Sequence, residues 1–187
     1  MFIQTEATPN PQVLKFLPGR AVLADGGAEF LAVEDAARSP LAAALFNLDG
    51  VEKVYLGTDF LTVGKAAERD WSHIKAPVLA AIMDHFTSGR PVMLREGGGV
   101  DATVYEGDTL QVVEEIKELL DSRIRPAVAQ DGGDIVFDRF NPATGVVYLH
   151  MRGACSGCPS SAMTLKAGVE NMLKHYVPEV TAVEASA

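Results

Sequence analysis

The chain has 187 residues, 48% of them hydrophobic, and a net charge of −9, which suits one large globular domain or two small ones. Acidic residues outnumber basic ones along the whole chain, so there is no basic arm to displace counterions and nucleic acid is excluded as a partner. No window reaches the roughly eighteen consecutive apolar residues of a spanning helix, so no membrane partner is expected either.

The N-terminal stretch carries Glu6 ahead of its first basic residue, Lys15. It has no basic segment followed by an apolar one, so it reads neither as a secretion signal nor as a transit peptide, and the expected location is a bacterial cytoplasm, with a mature organellar protein as the less favoured alternative. Residues 2–7 look extended, Thr8-Pro9-Asn10-Pro11 is a turn, and residues 13–17 resume as a strand that ends at Pro18-Gly19, giving an antiparallel pair. Residues 40–46 form a short helix. Residues 51–56 and 60–63 flank the turn Gly57-Thr-Asp59 as a second hairpin. Trp71, Ile74, Val78, Ile82 and Phe86 then repeat at helical spacing, and Pro77 divides them into a lead-in and a main helix that starts at the proline.

A composition break falls at Arg95-Glu-Gly97-Gly98-Gly99-Val-Asp101, and residues 95–108 are expected to link two domains, 1–94 and 109–187. In the second, Leu110, Val113, Ile116, Leu120 and Ile124 mark one face of a helix over about 109–129, kinked at Pro126, with Asp108 and Gln111 at capping-box spacing. Asp131-Gly132-Gly133-Asp134 reads as a turn bounded by solubilising charge. Residues 135–140 and 146–151 form a hairpin, and a helix runs from Pro159 to about 176 along Ala162, Leu165, Val169, Met172 and Tyr176. Residues 180–184 are a third strand. The expected fold class is α+β: two small domains, each a short, mainly antiparallel sheet with helices packed on it.

The chain has two cysteines, Cys155 and Cys158, in Gly153-Ala-Cys155-Ser-Gly-Cys158-Pro159. If Pro159 opens the helix, Cys158 is its N-cap, and the orphan amides and helix dipole stabilise the thiolates. Gly153 and Gly157 permit close approach of backbone and positive φ. Soft thiolates select zinc, copper(I) or an iron–sulfur centre. A site built of thiolates alone usually takes four, so the missing pair points to a second copy across a twofold axis. The same loop also describes a thioredoxin-type dithiol, a thiol-disulfide oxidoreductase, and spacing alone leaves metal and redox about even. A structural zinc dimer is a third reading.

The run from Gly153 through Cys155, Cys158 and Pro159 to Gly168, with Arg125-Pro126 and Asp131-Gly-Gly-Asp134 upstream, resembles the C-terminal domain of NifU-like (Nfu) iron–sulfur proteins. The opening Ile3-Gln-Thr-Glu-Ala-Thr-Pro-Asn-Pro-Gln-Val-Leu-Lys-Phe16 resembles the N-terminal domain of their two-domain members. The resemblance implies a scaffold or carrier, not an enzyme. It further implies a [4Fe-4S] cluster shared between two subunits of a homodimer, ligated by Cys155 and Cys158, with apo iron–sulfur proteins and cluster donors as partners.

Other candidates read as structural. His150 lies in an alternating strand and is expected to be packed or solvated; His73, His85 and His175 share no ligand spacing and are expected on the surface. Asp131 and Asp134 lack the repeated oxygens of a calcium loop. Met163 and Met172 are expected in the core, and Lys166 in solvent. Arg125 and Arg152 are equally suited to offsetting cluster charge and to a surface role.

Overall fold

The structure is a computed structural model that describes residues 2–94, 105–156 and 159–186. It divides into two compact units, Met1–Gly98 and Gly99–Ala187.

The first unit contains β1 (Gln4–Ala7), β2 (Val13–Leu17), β3 (Ala28–Phe30), α1 (Pro40–Phe46), β4 (Val51–Leu56), β5 (Leu61–Lys65) and α2 (Trp71–Ser88). The strands form one sheet in the order β1-β2-β5-β4-β3, antiparallel throughout. Both expected hairpins are present. One sheet face supplies Phe16, Val54, Leu56, Leu61 and Val63 to a core completed by Leu41 and Leu45 of α1 and Ile74, Val78 and Ile82 of α2. α1 starts where its cap dictates: Ser39 accepts a hydrogen bond from the Ala42 amide at 3.1 Å, and Pro40 occupies the first turn.

Two expectations fail on α2. Pro77 does not begin the helix but lies inside one continuous helix that Asp70 caps through the Ser72 amide. Pro77 and His73 are both exposed, so the carbonyl four residues back, which loses its intrahelical bond, faces water and the break is tolerated. His85, expected on the surface, is fully buried. It continues the stripe Ile74, Val78 and Ile82 at helical spacing, and neither of its ring nitrogens meets a protein hydrogen-bond partner among the described residues. That burial lowers its pKa, with Arg90 acting in the same direction.

The second unit runs α3 (Gly107–Leu119), a π-helical turn (Leu120–Ile124), α4 (Arg125–Gln130), β6 (Gly133–Asn141), β7 (Val146–Gly153), α5 (Pro159–Tyr176) and β8 (Ala182–Ala185). β6 and β7 form the expected hairpin, and β8 adds to β7 in parallel. Residues 95–104 of the expected linker lie outside the described residues. α3 begins at Gly107, with Glu106 at its N-cap position and no side-chain cap; Asp108 sits in the first turn instead of capping it. Val113, Ile116, Leu120 and Ile124 are buried as expected, but Leu110 is exposed. The interruption expected at Pro126 comes just before it, as the wider turn in which the Arg125 amide reaches back to the Leu120 carbonyl. Val113, Ile116, Leu120, Ile135, Val147, Leu149, Val169, Leu173 and Val183 share one core.

Candidate functional site

The site grows from the paired ends of β6 and β7. Gly133 opposes Gly153 and Asp134 opposes Arg152 in the strand register. Gly153 ends β7 with φ +66°, a left-handed conformation that glycine adopts without cost, so the chain turns sharply out of the sheet there. The Ala154 amide donates to the Gly132 carbonyl at 3.1 Å. The Ser156 hydroxyl donates to the Gly153 carbonyl at 2.9 Å. The first bond ties the loop that follows β7 to the turn that precedes β6, and the second folds the loop back on the end of β7.

Cys155 sits on this loop with only 7% of its surface exposed, at the edge of the second core. Its sulfur faces the start of β6: a Cβ placed on Gly133 would lie 2.2 Å from it. Cys158 and Gly157 lie outside the described residues. Pro159 is the first residue of α5, as the spacing predicts, so Cys155 stands between a strand end and a helix start.

Sequence reading misassigned one neighbour. Asp134 is not a solubilising turn residue; it lies in β6, 4% exposed, because the turn is confined to Asp131 and Gly132. Its Oδ1 accepts from Arg125 Nε at 2.8 Å and from the Ile135 amide at 2.9 Å, and its Oδ2 accepts from Arg125 Nη2 at 3.1 Å. Arg125 also donates to Asp121, one helical turn back, at 2.9 Å. The hydrogen bonds to Asp134 outweigh burial and hold Arg125 above even the ordinary arginine range, so this cation is permanent. Arg125 therefore clamps the helical segment to the first residues of β6, a task that needs a two-pronged donor. No local signal marks this burial: strand alternation places Asp134 on the face opposite the core residue Ile135, and its partner Arg125 stands nine residues away.

The remaining candidates do not converge on the cysteine. His150 lies 3.6 Å from Asp138. Met172 packs against the second core, but Met163, expected there, is 73% exposed, because the buried stripe of α5 runs through Val169 and Leu173 instead. Lys166, expected in solvent, pairs with Glu184 of β8 at 3.2 Å. His73 and His175 are exposed. Among the described residues no group of three or more His, Cys, Asp or Glu gathers in a way that could hold a metal ion. The donor chemistry that fits a soft centre here is thiolate, with Cys155 as its described member.

Comparison with known proteins matches residues 3–89 to the family model described as scaffold protein Nfu/NifU N terminal, and residues 116–184 to the NifU-like domain. NifU-like protein 4, mitochondrial, of Arabidopsis thaliana is 50% identical over 186 residues, covering 98% of this chain and 65% of its own. The NFU1 iron-sulfur cluster scaffold homolog, mitochondrial, of Drosophila willistoni is 51% identical over 185 residues, covering 98% and 63%. A NifU-like protein of Schizosaccharomyces pombe is 46% identical, covering 96% and 70%. The chain thus spans about two thirds of the length of these relatives. A solution structure of a NifU-like protein from Saccharomyces cerevisiae is 27% identical, covers 51% of this chain and 87% of its own, and superimposes with a TM-score of 0.47. The expected bacterial cytoplasm is contradicted by the first two of these relatives, whose names are mitochondrial. The N-terminal stretch whose composition carried that expectation lies within residues 3–89, which match the Nfu/NifU N-terminal model.

Proposed function

Because the chain belongs to the Nfu/NifU-like family, matched in both of its domains, we propose that it is an iron–sulfur cluster scaffold and carrier. It holds a [4Fe-4S] cluster between two protomers, each supplying Cys155 and Cys158, and delivers it to apo-proteins. The cluster is cargo, and the protein acts by binding and release without turnover chemistry.

The observation that carries this reading is the placement of Cys155 on a short loop between the end of β7 and the start of α5, bonded once to the turn before β6 and once back to the end of β7. These two bonds limit where the loop can travel, and the helix start favours anionic ligands beside it. With two cysteines in the whole sequence, four thiolates require two copies, and separating the copies removes half the ligands, which suits transfer better than storage. The domain of residues 1–94 has no cysteine and serves to recognise donors or recipients. Residues 95–108 join it to the cluster-binding domain of 109–187. The location we infer is an organelle, in line with the names of the relatives.

Anaerobic reconstitution of the full chain with ferrous iron and sulfide, followed by native mass measurement, tests the proposal. The expected species is a dimer with about four irons. Substituting Cys155→Ser or Cys158→Ser abolishes iron retention. A monomer that holds no iron but reduces a disulfide overturns the proposal in favour of dithiol chemistry.

A further inference from the structure

Gly132 and Gly133 are adjacent in sequence, but the structure needs them for different reasons. Gly132 has φ +77°, a conformation that side chains resist. Gly133 is not among the residues with positive φ, and any residue can adopt its backbone. What a side chain at 133 would lack is space. Its Cβ would come within 2.2 Å of the Cys155 sulfur, far inside the ~3.5–4.0 Å of a normal non-bonded contact. The next contacts, the Arg152 carbonyl oxygen and the Cys155 Cβ, both at 3.2 Å, are much milder.

We propose that Gly133 is the seat of the Cys155 sulfur in the cluster-free protein, a positioning residue that decides when this thiol is presented. The seat is rigid on both sides. Arg125 clamps Asp134, the residue after Gly133, and the Ala154 amide is bonded to the carbonyl of Gly132, the residue before it. The backbone therefore has little room to move away, and the group able to yield to a side chain at 133 is the sulfur, which turns about the Cys155 side-chain torsion. While seated, the sulfur lies against the Gly133 backbone in a residue only 7% exposed, and a multi-atom cluster cannot enter the gap. Ligation therefore requires the sulfur to leave the seat. This consequence rests on the carrier reading above, whereas the seat itself does not. Gly133 thus shelters an oxidisable thiol until a cluster draws it out.

The test uses the full, cluster-free and metal-free chain in the Cys158→Ser background, where Cys155 is the remaining thiol. Adding Gly133→Ala is expected to raise the rate of alkylation by iodoacetamide roughly tenfold, because the sulfur no longer needs a local opening to be reached. An unchanged rate overturns the proposal. A second measurement separates seating from a purely structural role for the glycine. Gly133→Ala should lower the urea midpoint of the second unit when Cys155 is present, and most of that loss should vanish when Cys155→Ala is combined with it. An equal loss in both backgrounds overturns the proposal. If Gly133→Ala alone fails to fold, recovery of folding by Cys155→Ala supports the seat, and failure of both variants overturns it. Neither readout involves iron, so this inference and the carrier reading can fail separately.

Discussion

In the first unit the fully buried His85 has both ring nitrogens away from any described hydrogen-bond partner. In the second unit the buried Asp134 takes three hydrogen bonds, two of them from one guanidinium. The first is a polar group enclosed by an apolar helix face, and the second is a polar group used as a fastener. The difference teaches where each unit is rigid. Desolvating a carboxylate is tolerable only with a charged, well-aligned partner, and that partner fixes the strand end carrying the Cys155 seat. A neutral imidazole demands less, and it leaves its surroundings free of such a constraint.

Removing the fastener is the most direct way to break the comparison. Arg125→Ala leaves Asp134 buried beside an apolar core, and one-sided deletions of buried pairs cost about 3–5 kcal/mol. The Arg125 side chain is 33% exposed, so water replaces part of the lost contact and a loss of about 3 kcal/mol is expected. The check is hydrogen exchange in the full chain: amides of residues 133–136 should lose protection, while Trp71, the single tryptophan, reports an unchanged urea transition for the first unit. Replacing both partners with apolar residues, Arg125→Met with Asp134→Leu, should recover much of the loss. A cost below about 0.5 kcal/mol for Arg125→Ala, the level of an ordinary surface change, would reduce the fastener to a surface contact.

A smaller effect sharpens the same contrast inside the first unit. Ser39 is fully buried, yet its hydroxyl is used twice, donating to the Val92 carbonyl at 2.6 Å and accepting from the Ala42 amide at 3.1 Å. It therefore caps α1 and ties down the segment that follows α2. Ser39→Ala removes both bonds and should cost about 1–2 kcal/mol, read from Trp71 fluorescence in urea. A neutral result would mean that neither bond contributes to the stability of this unit.

What the sequence revealed tracks how local the determining physics is. α1 was legible because Ser39, Pro40 and the apolar run state a helix start within a few residues. The hairpins were legible because their turns lie between alternating runs, and the Cys155 loop because Pro159 marks the following helix. β3 was missed: its three residues exist through pairing with β4, a contact that nothing within residues 20–39 announces. Asp134 was misread because the partner that allows its burial, Arg125, stands nine residues away on a helix whose π turn no local pattern predicted. The role of Gly133 depends on a sulfur that a neighbouring strand delivers. His85 is legible in principle, three residues after Ile82 on the apolar face, where helical position outweighs the polarity of the imidazole.

That histidine carries the smallest effect and the clearest sign. Burial, with Arg90 in support and Asp84 in opposition, lowers its pKa in the folded state below the ordinary 6.5. Between the two values the unfolded chain binds the proton and the folded chain does not, so stability rises with pH across that window. It is fully present above about pH 6.5 and is lost as the pH falls toward the folded-state value. His85→Leu fills a similar volume without a titratable group. It should change stability at neutral pH by less than about 1.5 kcal/mol and should flatten the slope between pH 7 and pH 5, followed by Trp71 fluorescence in urea. An equally steep slope in the variant would assign the acid sensitivity to other groups. It would also mean that the imidazole reaches water, and the contrast with the fastened Asp134 would then lie in solvation instead of pairing.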